Sequence, residues 1–331
     1  MKERLPTLDG LRGYACIFVV LSHLPWPDSV KAEFNGLLGA IGVGFFFVLS
    51  GFLMGYLYIQ KDFNVKSVVN YSIARFSRIV PVYWFVILIY LLLSYLFSGL
   101  DYPFDMGSVT NALRHIFLIG SSYVFWSIPL EIQYYIFFIF LWYSFFKFSF
   151  LQKTLLSISL VILLYSFDLW PGLVLFSKLP FFLAGTFFGI LPRICISKNI
   201  WLIFFQVMSF FLLFLPMFYI SDNKAFYDSF EVAVYYGLAI YFISHGTRFS
   251  NLIMSNKYMA EIGAASFSIY LIHLLLLYFY GTFLGLDMDV YDSLWFLVAL
   301  ITIVTSLVFH KKIEVKLHYK FKYFLERYIK R

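Results

Sequence analysis

Ten apolar runs of near-bilayer length divide this chain and leave it few ways to fold. They cover roughly 10–24, 37–59, 79–98, 130–147, 154–168, 172–190, 200–219, 229–244, 265–284 and 292–309. A helix that crosses a bilayer needs about 17–25 residues, so most of the runs suffice; the first, fifth and eighth are short and need help from flanking residues. With 62% hydrophobic and 13% charged residues, the chain departs far from a soluble domain, which averages about 45–50% and about 25%. It reads as an all-α polytopic membrane protein: about ten transmembrane helices in one bundle, a single domain over 1–331, with a basic tail at 310–331.

Charge sets the orientation. With both termini in the cytoplasm, 20 of the 25 Lys and Arg residues fall on the cytoplasmic side. Only Lys31, Arg114 and Lys224 fall outside, and Arg12 and Lys178 stay in spans. Most acids, Asp28, Asp222, Asp228, Asp287, Asp289 and Asp292 among them, lie in the outer loops. This is the positive-inside pattern, and it accounts for the net charge of +7 without nucleic acid. Two cysteines, Cys16 and Cys195, rule out a disulfide framework or a thiolate metal site. Lys2 and Arg4 before an apolar run resemble a signal peptide, but Arg12 and His23 interrupt the run and Leu24-Pro25-Trp26-Pro27 follows it; a retained first span is expected. The aromatic, basic segment from His310 is expected at the cytoplasmic surface.

Arg12 and His23 share the first run, eleven residues apart. Ionisable side chains inside a bilayer are expensive and mark functional sites by default. Eleven steps of helix bring His23 to about 20° from Arg12 and about 16 Å further along the axis. One face then carries a guanidinium near the cytoplasm, suited to phosphate oxygens, and an imidazole near the exterior, suited to general base chemistry. The bland readings are a snorkelling Arg and an interfacial His capping a helix end.

Other residues compete for roles. Arg75 and Arg78, three apart, share a helical face just before Pro81, which suits the first turn of a helix; they are a phosphate clamp or a positive-inside anchor. Glu131, in Trp126-Ser127-Ile128-Pro129-Leu130-Glu131, starts an apolar helix from the outside. It balances His23, holds a sugar hydroxyl, or merely complements the helix dipole. Lys178 is expected buried against an acid or a donor phosphate, and His273 as a polar contact between helices. Gly42 to Gly55 (GVGFFFVLSGFLMG) is rich in small residues that let helices approach closely.

Together these motifs resemble the membrane-bound acyltransferase family 3. LPTLDGLRGYACIFVVLSHL, GVGFFFVLSGFL, RFSRIVPVYW, WSIPLEIQYY and SFSIYLIH occur in the family's order from about Leu5 to Glu314. Where relatives often carry Pro after the late His, Leu274 to Leu277 follow here, and Ile313-Glu314 is followed by Val315-Lys316.

The resemblance implies a ten-span bundle that moves an acyl group, usually acetyl, from cytoplasmic acetyl-CoA to an extracytoplasmic hydroxyl. The implied acceptors are surface polysaccharide, O-antigen, lipid-linked sugar, peptidoglycan or antibiotic, and the implied setting is the bacterial cytoplasmic (inner) membrane. It implies His23 as catalytic residue, Glu131 as its required partner, and Arg12, Arg75 and Arg78 on the donor side. Ser127 belongs to the same motif as Glu131. No metal is expected, and the partners are the carbohydrate acceptor and membrane lipids. The sequence shows no appended soluble domain, so the chain is expected to finish the transfer or hand acetyl to a separate protein. A proton-coupled transporter or flippase, or a non-catalytic partner in polysaccharide assembly, fits the composition as well. A transporter predicts movement of substrate without acetyl-CoA.

Overall fold

The computed structural model describes residues 5–33, 37–97, 103–104, 106, 108–120, 122–153, 155–156, 159–160, 175–194, 200–220 and 222–329, with 31–33 and 175–177 described by backbone. These residues are helical, with no strand among them. The principal helices are α1 (Pro6–Ser22), α2 (Leu38–Tyr58), α3 (Val65–Leu96), α4 (Val109–Ile116), α5 (Ser127–Lys147), α6 (Leu175–Ile190) and α7 (Ile200–Phe214). They continue as α8 (Phe230–Ile243), α9 (Arg248–Met254), α10 (Lys257–Ala264), α11 (Ser266–Phe283), α12 (Leu294–Phe309) and α13 (Val315–Ile329).

Among the described residues, six stretches are long and apolar enough to cross a membrane: Leu38–Tyr58, Val65–Leu96, Tyr123–Lys147, Ile200–Phe218, Ser266–Phe283 and Leu294–Ile329. Lys178–Ile190 and Phe230–Ile243 are shorter apolar helices. The run at 154–168 lies mostly outside the described residues, as do Lys2, Arg4 and Cys195.

One expectation changes. Pro81 does not begin a helix; it lies inside α3, which starts sixteen residues earlier at Val65. Asn64 caps that start, its side chain accepting from the Ser67 N–H at 2.9 Å, as Asn does well. The ring at Pro81 costs the bond to the Ser77 carbonyl, and packing along α3 overrides that local penalty. The basic tail is helical and continuous with the last apolar helix. A π turn over His310–Glu314 joins α12 to α13.

The chain divides into two compact units, Met1–Phe63 with Ile136–Ser266, and Asn64–Tyr135 with Phe267–Arg331.

In the first unit, glycines set the packing. On α2, a Cβ at Gly51 would stand 2.0 Å from the Phe182 carbonyl oxygen, and one at Gly55 2.4 Å from that of Thr186. On α6, a Cβ at Gly185 would stand 2.0 Å from the Val48 oxygen, and one at Gly189 2.3 Å from that of Phe52. Two small-xxx-small stripes therefore face each other, and backbone meets backbone. Lipid supplies no hydrophobic drive between helices, so this close contact is what holds them. Thr186 adds a bond across the seam, its Oγ1 donating to the Gly51 carbonyl at 3.2 Å. The closeness expected of Gly42 to Gly55 is present; the matching pair on α6 was not anticipated.

The same device seats α1. A Cβ at Gly10 would lie 1.5 Å from the Met254 oxygen, one at Gly13 2.4 Å from that of Met259, and one at Gly263 1.7 Å from that of Asp9. The start of α1 is thus clasped by the end of α9 and by α10. On its other side, a Cβ at Gly42 would lie 2.5 Å from the Ala15 oxygen, which brings α2 against the middle of α1.

The second unit is built on aromatic rings. Phe125 meets Tyr83 and Tyr90 edge to face at 6.0 and 4.9 Å, a favoured ring geometry. His115, fully buried, joins them; its Nδ1 pairs with the Tyr83 hydroxyl at 2.7 Å and its Nε2 with Ser122 Oγ at 3.0 Å. Leu118 and Tyr123 hold φ of 60° and 49°, a left-handed conformation that costs about 1–2 kcal/mol per residue. The His115–Ser122 bond brackets Leu118 and ends next to Tyr123. Further along, α13 packs on α3, and the rings of Phe85 and Phe309 lie 6.2 Å apart. Glu314, at the π turn, is buried; it accepts from Ser268 Oγ and, at 2.7 Å, from His310 Nδ1–H.

Candidate active site

Within the first unit, α1 runs without a break from Pro6, in the favoured first position, to Ser22. His23 is the residue that ends it, its N–H donating to the Val20 carbonyl at 3.2 Å. Trp26 closes the same end, its Nε1–H donating to the Leu21 carbonyl at 2.7 Å. An unbroken helix keeps Arg12 and His23 within about 20° of one another. The face between them passes over Cys16 and Val19, which are 1% and 2% exposed. Protein, not lipid, covers the middle of that face; Cys16 Sγ lies 3.7 Å from the Ser266 carbonyl oxygen. His23 itself is exposed.

Arg12 is half-buried and forms an ion pair with Asp9, one turn back, at 3.4 Å. Sequence reading passed over Asp9, although the i, i+3 spacing was there to be read. A carboxylate at that position orients the guanidinium. Lys178, 9% exposed, pairs with Asp228 at 3.8 Å and lies 4.6 Å from the Tyr227 ring centroid. Of its two expected partners, the structure supplies the acid.

The second unit gathers five of the remaining candidates. Arg75, on α3, is buried with its guanidinium 5.9 Å from the centroid of the Tyr135 ring. Arg78 follows one turn later, half-buried. Tyr135 turns its hydroxyl to Glu131 and donates to the carboxylate at 2.5 Å. Tyr71 donates to the Tyr135 carbonyl at 3.0 Å. A cation, a ring and a carboxylate thus form one connected group.

One turn before Glu131, Ser127 Oγ donates to Tyr270 Oη at 2.8 Å, and Tyr270 Oη donates to the Val124 carbonyl at 2.7 Å. His273, fully buried on α11, donates from Nδ1–H to the carbonyls of Tyr270 and Ile269 at 2.8 and 3.1 Å. That fixes the tautomer and leaves Nε2 as the acceptor nitrogen. These two bonds of His273 stay within its own helix, and Tyr270 bonds across to Ser127 and Val124. Tyr135 and Tyr270 were both missed in sequence. The signal for Tyr135 was its i+4 spacing from Glu131; nothing in sequence marked Tyr270 as the partner of Ser127.

Chemically, these groups offer guanidinium forks for an anion, an exposed imidazole, and a carboxylate held by a phenol. Among the described residues no three His, Cys, Asp or Glu side chains cluster as metal ligands.

The chain is similar in sequence to several known proteins. The chain is 30% identical to acyltransferase MdmB of Streptomyces mycarofaciens over 159 residues, 42% of this chain and 39% of that protein. It is 31% identical to O-acetyltransferase OatA of Staphylococcus aureus over 98 residues, 28% of this chain and 15% of that protein. It is 33% identical to peptidoglycan O-acetyltransferase OatA of Listeria monocytogenes over 100 residues, 29% of this chain and 15% of that protein. The matches thus span about two fifths or less of these relatives' length. No solved structure matches the chain significantly. The family profile for the acyltransferase domain matches residues 5–310, across both units, and the chain belongs to that acyltransferase family.

Proposed function

We propose that this protein is a single acyltransferase domain of about ten membrane spans, set in the bacterial cytoplasmic membrane with both termini inside. It transfers acetyl from cytoplasmic acetyl-CoA to a hydroxyl of an extracytoplasmic carbohydrate: surface polysaccharide, O-antigen or lipid-linked sugar. The observation that carries this reading is α1, which holds Arg12 and His23 on one face covered by protein between them. The relative named a peptidoglycan O-acetyltransferase supports a carbohydrate acceptor.

The chemistry follows from charge. CoA is a polyanion, and Arg12, Arg75 and Arg78 are the guanidinium groups assigned to it. At the reacting centre, the acceptor oxygen attacks the thioester carbonyl while His23 takes the hydroxyl proton. The C–S bond then breaks, and the sulfur leaves with the proton returned by the imidazolium. A positioned base of this kind contributes about 10²–10⁴-fold. Glu131 is the partner acid that this reading requires, and the Tyr135 hydroxyl holds its carboxylate in place. Ser127 positions α5 through Tyr270. An acetyl-His23 relay obeys the same balance of atoms; label retained on the protein after exposure to acetyl-labelled donor distinguishes it.

The test compares surface glycans by mass spectrometry in cells with this chain, without it, and with His23→Ala. Acetylated glycan with the native chain alone is expected, with His23→Ala accumulating normally in the membrane. Normal acetylation by the variant would overturn the assignment of His23.

A further inference from the structure

An apolar groove of about 580 Å³ lies within the first unit and takes no part in the chemistry above. Its floor is α6 from Pro180 to Ile190. At one end it meets Ile59, just past α2, and Phe145 of α5. The Trp142 Nε1–H donates to the Lys61 carbonyl there at 2.9 Å, which ties α5 to the chain after α2. At the other end it meets Phe230, the first residue of α8. The ring of Phe181 stacks on that of Phe226 at 5.7 Å and keeps this end beside the start of α6.

The walls offer almost nothing polar. Ser144 and Thr186 line the groove, but their hydroxyls donate to the Phe140 and Phe182 carbonyls of their own helices at 2.8 and 3.0 Å. Among the described residues that line it, Lys153 alone is charged. Its Nζ lies 4.6 Å from the centroid of the Phe145 ring, which sets the ammonium at the Ile59 end. Lys153, Leu156 and Leu160 are half-buried on helical backbone, and their i, i+3 and i+7 spacing puts them on one face. Lys61 and Lys147, both exposed, stand at the same end, against one acid, Asp62, in the 59–64 loop.

Size and charge together name the occupant. Pro180 to Ile190 covers about 15 Å of helix, half of a hydrocarbon core of about 30 Å. Phe187, in the wall, is 60% exposed, so the groove opens sideways, where a membrane protein meets hydrocarbon and not water. An alkyl chain entering it leaves no polar group unsatisfied. The lysines at one end then select a negative headgroup, since an ammonium pairs with phosphate oxygens.

We propose that this groove holds one acyl chain of an anionic phospholipid, with the lipid phosphate on Lys153. The lipid is a resident of the fold, distinct from donor and acceptor, and the inference does not depend on acetyl transfer.

The test uses the full chain, stripped of lipid in detergent, and titrates phosphatidylglycerol and phosphatidylcholine of the same chain length by native mass spectrometry. The first phosphatidylglycerol should bind more tightly than later ones and more tightly than phosphatidylcholine. In Lys153→Gln that preference should fall about fivefold, the worth of one lysine against an anionic headgroup, with phosphatidylcholine bound as before. Leu183→Trp puts an indole into the groove and should remove the tight first binding of both lipids. Equal affinity of the native protein for the two lipids would overturn the inference, as would an unchanged preference in Lys153→Gln or unchanged binding in Leu183→Trp. Polyprenyl phosphate recovered as the tightly held lipid would overturn it too, and would give the groove to a lipid-linked acceptor. If Leu183→Trp does not accumulate, Lys153→Gln, which leaves the apolar walls intact, decides by itself.

Discussion

His245 should make this protein sensitive to mild acid. The residue follows α8 and is 2% exposed. Its Nδ1–H donates to the Tyr241 carbonyl at 2.7 Å, and its Nε2 accepts from the Ile194 N–H at 2.9 Å. Both ring nitrogens are used, and the pattern requires the neutral ring, because a protonated Nε2 cannot accept. Burial, with the nearby Arg193 guanidinium adding to it, pushes the imidazole down from 6.5 to about 4. In this window the unfolded chain binds the extra proton, so stability is complete above about pH 6.5 and is lost as pH falls toward 4. At pH 5 the loss from this one group is at most about 2 kcal/mol, since each unit of pKa is worth about 1.4 kcal/mol.

His245→Gln isolates the effect: an amide can donate to Tyr241 and accept from Ile194 but does not titrate. Melting temperatures of detergent-solubilised protein should be compared at pH 7.5 and 5. At about 2–4 °C per kcal/mol, the native protein should lose several degrees more than His245→Gln. His115, also pushed down to about 4 by burial, keeps titrating in both proteins and cancels in the difference. Equal losses in the two proteins would refute the argument that His245 must stay neutral.

Three further outcomes are expected. Gly185→Ile places a side chain where even a Cβ would stand 2.0 Å from the Val48 oxygen; it should cost about 3 kcal/mol or more, read as a lower melting temperature or loss of folded protein. Tyr135→Phe removes the hydroxyl that holds Glu131 and should lower turnover about tenfold or more, with the melting temperature nearly kept; rescue by neither pH nor added donor is expected, and undiminished turnover would remove Tyr135 as a positioning residue. Asp228→Asn leaves the buried Lys178 ammonium without its carboxylate and should destabilise by about 1 kcal/mol, whereas Lys178→Met/Asp228→Asn should recover most of the loss, both read by thermal unfolding.

Much of this molecule was legible one helix at a time. Apolar length alone placed α2, α7, α8, α11 and α12 within a few residues, because a backbone in lipid must close its own hydrogen bonds. Pro81 misled for the opposite reason: a local rule about helix starts met a helix held from both sides. Of the site, Arg12, His23 and Glu131 stood out because a charge in an apolar run is costly enough to notice. Asp9, Tyr135 and Tyr270 did not, since one tyrosine among 26 or an acid near a terminus carries no such mark.

Helical identity, the charged faces and the family were thus set by short-range pattern, which depends on periods of a few residues and on the cost of burying charge. Partner choice was not. That Gly51 and Gly55 meet Gly185 and Gly189, that Ser127 meets Tyr270, and that Glu314 closes a π turn against Ser268 depend on surfaces brought together from more than forty residues apart. Contacts of that range are selected by shape and by the need to satisfy buried polar groups, and a linear pattern does not encode which neighbour will do so.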